Sequence, residues 1–191
     1  MTVRYSLLQT YSLICSDLAF RGDLEPKRGW IRDLVLLTEP GVACVIRYRL
    51  QCLFYSNGFV LLGRTLKFLN LIFYGVDLHQ RARIGGGFVI LHPVCIFITD
   101  DVTIGERCIV YHHTTLARSP YLEPGREPGP LVVGNDVTFG MGSCAYGNIG
   151  IGDGCSVGAN TVVDRSCAPH SYLIGVPARI VSDPTSPKAE A

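Results

Sequence analysis

The sequence lacks most features that commit a chain to nucleic acid, membrane or metal. Its 191 residues carry a formal net charge of +1 and no Lys/Arg-rich block. No sequence-independent attraction to nucleic acid follows from that balance. No run of 18 apolar residues occurs. The most apolar stretch, 34–76, is interrupted by Glu39, Arg47, Arg49, Arg64 and Lys67, which argues against a spanning helix. Residues 1–17 lack the long apolar core and small-residue cleavage site of a secretory signal, so a cytoplasmic chain is expected. Eight cysteines are present, but none forms a Cys-x-x-Cys pair, the spacing on which many zinc sites are built. In a reducing compartment they read as small hydrophobes of a core, and no metal is expected.

What is present divides at about residue 75. Before it the pattern is helical. Residues 5–20 place Leu7, Tyr11, Ile14 and Leu18 on one side of a helix, with Arg21-Gly22-Asp23 as its stop. Trp30–Thr38 suggests a second, closed by Glu39-Pro40-Gly41. Val42–Tyr55 suggests a third, with Arg47 and Arg49 on its wetter side, and Val60–Phe73 a fourth. Gly and Pro punctuate each junction. Contact of these helices with a membrane surface or another enzyme is left open.

After Gly75 the period becomes six. From Leu131 onward, apolar residues fall at Val133, Phe139, Ala145, Ile151, Val157 and Val163, and Gly134, Gly140, Gly152 and Gly158 follow directly after four of them. Small or apolar residues lie two positions before each. The earlier half repeats the period with Ile84, Ile90 and Ile96, then with Ile104, Val110 and Leu116 after a slip of two residues. Six fits neither a helix nor a hairpin. It is the signature of a hexapeptide-repeat parallel β-helix, in which three short strands close a triangular coil of about 18 residues. Inward apolar residues fill the coil, and glycine is expected to supply special backbone angles at the corners. The open coil edges need covers, which the helices and the segment after Val181 can supply.

The fold class is therefore mostly β: a β-helix over 75–181, preceded by an α-helical region over 1–74. The proline-rich segment 117–130 (ARSPYLEPGREPGP) interrupts the repeat as a protruding loop, a place where function is often carried. A flexible tail is expected over 182–191.

The segments YGVDLH, RIGGG, ILH, the glycine-punctuated run over 132–163 and the closing IGVPARIV resemble the serine acetyltransferase family, including its polysaccharide O-acetyltransferase relatives. The resemblance covers about 74–181. It implies a left-handed β-helix, assembly as a homotrimer, acetyl-CoA as co-substrate and active sites in grooves between subunits. It also implies that His92, which follows Asp77 by 15 residues, is the general base, and that Asp77 orients it. The chemistry is consistent: an imidazole with a pKa of about 6.5 can take a hydroxyl proton and return it to a departing thiolate. A carboxylate on its other nitrogen fixes the tautomer. His79 is a structural neighbour of the pair. On the same resemblance, His112, His113 and Arg126 line the acceptor site. Gly140, Met141, Gly142, Ala159 and Gly175 line the donor groove, and Arg179 contacts donor phosphate.

Three departures fall in the acceptor half. Leu91 stands where the family carries Asp. Arg126-Glu127-Pro128 stands for Arg-His-Pro, and Ala117-Arg118 for Gly-Gly. The reading is transfer of acetyl from acetyl-CoA to a hydroxyl, on a sugar or polysaccharide unit or on a serine-like amino acid; the departures tilt it toward the sugar. The alternatives are a short L-serine O-acetyltransferase and a non-catalytic trimeric scaffold.

Overall fold

The computed structural model describes residues 4–24, 38–118 and 129–181. Three helices come first: α1 (Leu7–Asp23), α2 (Pro40–Ser56) and α3 (Val60–Tyr74). The helix expected over Trp30–Thr38 lies outside the described residues except for Thr38, and the tail from 182 lies outside them altogether. A capping box opens α1: Ser6 accepts from the Gln9 amide and Gln9 from the Ser6 amide, which satisfies two otherwise orphaned donors. Pro40 starts α2 at a position where its missing N–H is not needed. Gly75 ends α3 with φ +65 and donates its amide to Leu71 O at 2.9 Å, a left-handed cap that only glycine adopts cheaply. No helix among the described residues is long and apolar enough to cross a membrane.

Short strands then wind into stacked triangular coils. The first coil holds β1 (Val76–Leu78), β2 (Arg83–Ile84) and β3 (Val89–Leu91). The second holds β4 (Ile96–Ile98), β5 (Val102–Ile104) and β6 (Ile109–Tyr111). The third holds β7 (Thr115–Ala117), β8 (Leu131–Val133) and β9 (Thr138–Phe139), and the fourth β10 (Cys144–Tyr146), β11 (Ile149–Ile151) and β12 (Ser156–Val157). Last come β13 (Val162–Val163), β14 (Tyr172–Ile174) and β15 (Arg179–Val181). The three faces are parallel sheets ordered β1-β4-β7-β10-β13, β2-β5-β8-β11 and β3-β6-β9-β12-β14, with β15 added antiparallel to β14. This is the parallel β-helix read from the hexads, with the left hand that the resemblance implied.

The registers stack like on like. Leu78, Ile98, Leu116, Ala145 and Val163 form one inward column; Ile84, Ile104, Val133 and Ile151 a second; Ile90, Val110, Phe139, Val157 and Leu173 a third. All are buried, the Val, Leu, Ile and Phe side chains each contributing on the order of 1.5–3 kcal/mol. The residues two positions earlier also face inward, among them Leu131, Val137, Ser143, Cys155 and Thr161.

The glycines do a different job from the one expected. Those that follow the inward residues do not supply left-handed angles; they allow close approach of the next coil. A Cβ on Gly140 would lie 2.8 Å from Val157 O and 2.9 Å from Ala159 N. Left-handed backbone falls instead at two other corner columns, mostly on non-glycine residues: Arg107, Asp136 and His170 at one, Cys95, His113 and Asn160 at the other.

The exposed top edge of the first coil is capped by polar side chains of α2. Tyr48 donates its hydroxyl to Ala82 O (2.7 Å), Gln51 its amide to Leu78 O (2.9 Å), and Arg49 its guanidinium to Ile84 O and Gly85 O (2.6 Å each). Asp17 of α1 completes the set, accepting from the Phe88 amide at 2.9 Å and from Arg49 at 2.9 and 3.0 Å. Arg49 is therefore buried, not on the wetter side of its helix, because the carbonyls of an unpaired coil need donors where water does not reach. For the same reason α1 buries Thr10 and Asp17, whereas Leu7 and Tyr11 face outward. The Gly-Asp stop expected at 22–23 is the last turn of α1.

Burial pushes the Cys44 thiol up to about 12 and those of Cys52 and Cys108 to about 11, which suits small core hydrophobes and leaves them unreactive. Arg49→Met should destabilise the fold by about 3–5 kcal/mol, since it strands the Asp17 charge and two carbonyls. Chemical denaturation measures it, and Asp17→Asn added to Arg49→Met should restore part of the loss.

Candidate active site

One edge of the β-helix departs from regularity, and it is the edge that carries His92. Inward Ile98 follows inward Ile90 by eight positions, where a step of six is the rule. Strand pairing locates the surplus. The His113 amide donates to Val94 O at 2.8 Å, as Gly142 does to His112 O (3.0 Å) and Asn160 to Met141 O (2.8 Å). Val94 thus occupies the rung above His112, and Leu91 pairs with Tyr111. The residues without a rung are His92 and Pro93. The two-residue slip in the sequence is this corner, earlier in the chain than the Ile96-to-Ile104 step suggested.

The surplus pushes His92 out of the triangular section. Its φ is +56, a left-handed conformation that costs a non-glycine residue of order 1 kcal/mol. The Val94 amide closes a three-residue turn on His92 O at 2.8 Å. The His92 side chain is exposed, and its ring lies edge-on to that of His112 with centroids 6.0 Å apart. His112 is half-buried, 5.5 Å from His113, and its Nδ1 is buried without a protein partner. No residue among those described hydrogen-bonds to the His92 ring. An exposed imidazole with free nitrogens beside a second histidine is equipped to accept a proton from a bound hydroxyl.

The same edge continues downward as a column. His112, Met141 and Ala159 occupy successive rungs, spaced by about 4.8 Å. Gly175 closes the column: its amide donates to Thr161 Oγ1 at 3.2 Å and its carbonyl accepts from the Val162 amide at 3.0 Å. His113 and Gly142 stand one position further on, and Gly140 one position before Met141. Seven of the residues proposed from sequence therefore lie along one side of the molecule below His92. Met141 projects from it, 45% exposed, between small neighbours. Arg179 is exposed at the start of β15, paired with Ile174 at the far end. Arg126, Glu127 and Pro128 lie outside the described residues.

Asp77 sits on the first coil between Val76 and Leu78, both turned inward, so its side chain turns outward. Its Oδ1 lies 2.7 Å from Lys67 Nζ on α3. The contact is an ion pair without the alignment of a hydrogen bond, and Oδ1 has no other partner. Among the described residues no hydrogen bond joins Asp77 to His92. His79 follows β1 and accepts from the Arg81 amide through Nδ1 at 3.2 Å. Burial, then the nearby Lys67 charge, hold its pKa below the ordinary value. Lys67 is the charged neighbour that the sequence pattern did not single out. It read as one of the charges breaking an apolar helix, and only the helix-to-strand corner at Gly75 brings it back onto Asp77.

No family model matches the chain. The chain is 32% identical over 170 residues to a serine acetyltransferase of Mycobacterium tuberculosis, covering 85% of this chain and 72% of the relative. It is 30% identical over 147 residues to a serine acetyltransferase of Synechococcus elongatus, covering 77% of this chain but only 59% of that relative's length. The crystal structure of Neisseria gonorrhoeae serine acetyltransferase superposes with a TM-score of 0.81 at 26% identity, covering 92% of this chain and 66% of that one. The Neisseria enzyme in complex with serine gives 0.80 at 25%, with 93% and 71% covered.

If His92 and Pro93 are a surplus over the rung pattern, deleting both should leave the fold intact. Circular dichroism and thermal melting should find a native-like β spectrum and a cooperative transition close to that of the unaltered protein. A noncooperative melt would show that the corner is structural.

Proposed function

The chain belongs to the serine acetyltransferase family, and on that premise we propose that it transfers acetyl from acetyl-CoA to the hydroxyl of L-serine. The observation that carries the reading is the added corner that presents His92 at the head of a column of small and exposed residues. His92 takes the serine hydroxyl proton as the oxygen attacks the thioester carbonyl. The tetrahedral intermediate collapses, and the imidazolium returns the proton to the departing thiolate of coenzyme A. Asp77 orients the imidazole and stabilises its charged form. The donor lies along the edge past Met141, Gly142, Ala159 and Gly175, where small residues admit it close to the backbone, and Arg179 at the far end contacts its phosphates. His112 and His113 line the acceptor side.

L-serine takes precedence over the sugar hydroxyl preferred on the sequence departures alone, because the relatives are named for serine and one of them is solved with serine bound. A sugar acceptor is retained as a second reading, favoured by Leu91: a half-buried aliphatic side chain next to His92 offers nothing to a substrate ammonium.

We propose that the working form is a cytoplasmic homotrimer, with the helical region over 1–74 as cap and the β-helix over 75–181 as the catalytic part. The free state of all eight cysteines supports a reducing compartment. Exposed Val94, Phe97 and Val132 on the β-helix are apolar surface for subunit contact. Leu61, Phe68 and Ile72, exposed on α3, suit contact with another enzyme or a membrane surface.

Thiol release from acetyl-CoA, followed with a colorimetric reagent, tests the reading. Release should depend on L-serine, and His92→Ala should reduce it by about 10²–10⁴-fold without changing the melting temperature. Acetyl-CoA at 100 times its dissociation constant should stabilise the fold by roughly 2.7 kcal/mol. Stabilisation without serine-dependent release would move the acceptor to sugars. No stabilisation at all would leave the non-catalytic scaffold.

A further inference from the structure

We propose that Lys67 is a positioning residue of the transfer site, holding Asp77 in place for His92 while keeping that imidazole neutral enough to act as a base. The inference rests on the role given to His92 above.

Asp77 is rooted in a strand whose neighbours Val76 and Leu78 are 0% and 1% exposed. Its backbone cannot turn, and only its own side-chain dihedrals are free. Lys67 stands ten residues earlier, on a helix that passes into that strand through Gly75 alone. The ammonium lies 2.7 Å from Oδ1, and the two side chains are 26% and 25% exposed. A pair so shielded is screened less than an open surface pair. The ion pair engages Oδ1 and leaves Oδ2 outside it.

The electrostatic consequence has a definite sign. A carboxylate alone favours the imidazolium and raises a histidine pKa. An ammonium on the far side of that carboxylate offsets the effect. His92 is then oriented by the acid without being fixed in the protonated form, which cannot accept a proton. The other charged and titratable groups are His79, Arg81 and Asp100 around the ion pair, His112 beside His92, and His113 beside His112. Burial, then the Lys67 charge, hold the His79 pKa below its ordinary value.

Two readouts on Lys67→Met and Lys67→Arg decide the matter. One is kcat/KM for thiol release against pH. The other is the NMR titration of the His92 ring proton in the protein without substrate. Lys67→Met should raise the acid-limb midpoint and the NMR midpoint together, by about half a pH unit or more. Lys67→Arg, which keeps the charge, should leave both in place. A lower rate in Lys67→Met with both midpoints unmoved would assign Lys67 a packing role and overturn the proposal. If no acceptor supports thiol release, the transfer reading falls while the NMR titration still decides the coupling, and an unmoved His92 midpoint there overturns it too.

Discussion

Parallel stacking in register is the constraint from which the rest of this molecule follows. Each strand exchanges hydrogen bonds with the coil above and the coil below, so every corner repeats at nearly the same place on each coil. Inward columns such as Ile90, Val110, Phe139, Val157 and Leu173 are one result. A second is that added residues must leave the regular section. His92 and Pro93 leave the rungs above and below them intact; His92 projects at the surface, while Pro93 is buried. A fold that tolerates almost no variation inside thereby generates a projecting side chain at a fixed position, held by many backbone bonds that the side chain itself does not make.

The same stacking creates a cost at the first coil, whose upper carbonyls have no coil to bond to. The helices answer it with polar side chains rather than with an apolar face. Tyr48, Arg49 and Gln51 reach down from α2, and Asp17 of α1 both anchors Arg49 and accepts from Phe88. Helix α3 packs on α2, with Asn70 donating its amide to Cys44 O. Since α3 runs into β1 through one left-handed glycine, the placement of Lys67 beside Asp77 is tied to the capping of the coil. The electrostatics of the proposed site and the closure of the solenoid are therefore two consequences of one junction.

Membership of the serine acetyltransferase family and the geometry of the edge support each other. The family sets the expectation of a histidine base and an extended donor. The structure has a protruding histidine with a column of small residues beneath it. One departure from the family pattern, Leu91, lies directly beside His92.

The sequence by itself determined the solenoid. A six-residue period of inward side chains states the coil directly, because each strand is so short that its burial pattern is almost entirely local. It also contained the two-residue slip and the Asp77-to-His92 spacing, and the column of Met141, Ala159 and Gly175 follows from counting hexads. Helix burial was not legible. Arg49 and Asp17 look solvated in an apolar pattern, and they are buried because an unpaired coil edge demands donors and acceptors. The reason for the glycines was also misjudged from residue type alone: the limit is the distance to the next coil, which no local pattern contains. Only the tertiary structure decided that the slip expels His92 and that Lys67 lies against Asp77. Both depend on where one backbone segment stacks upon another distant in the chain.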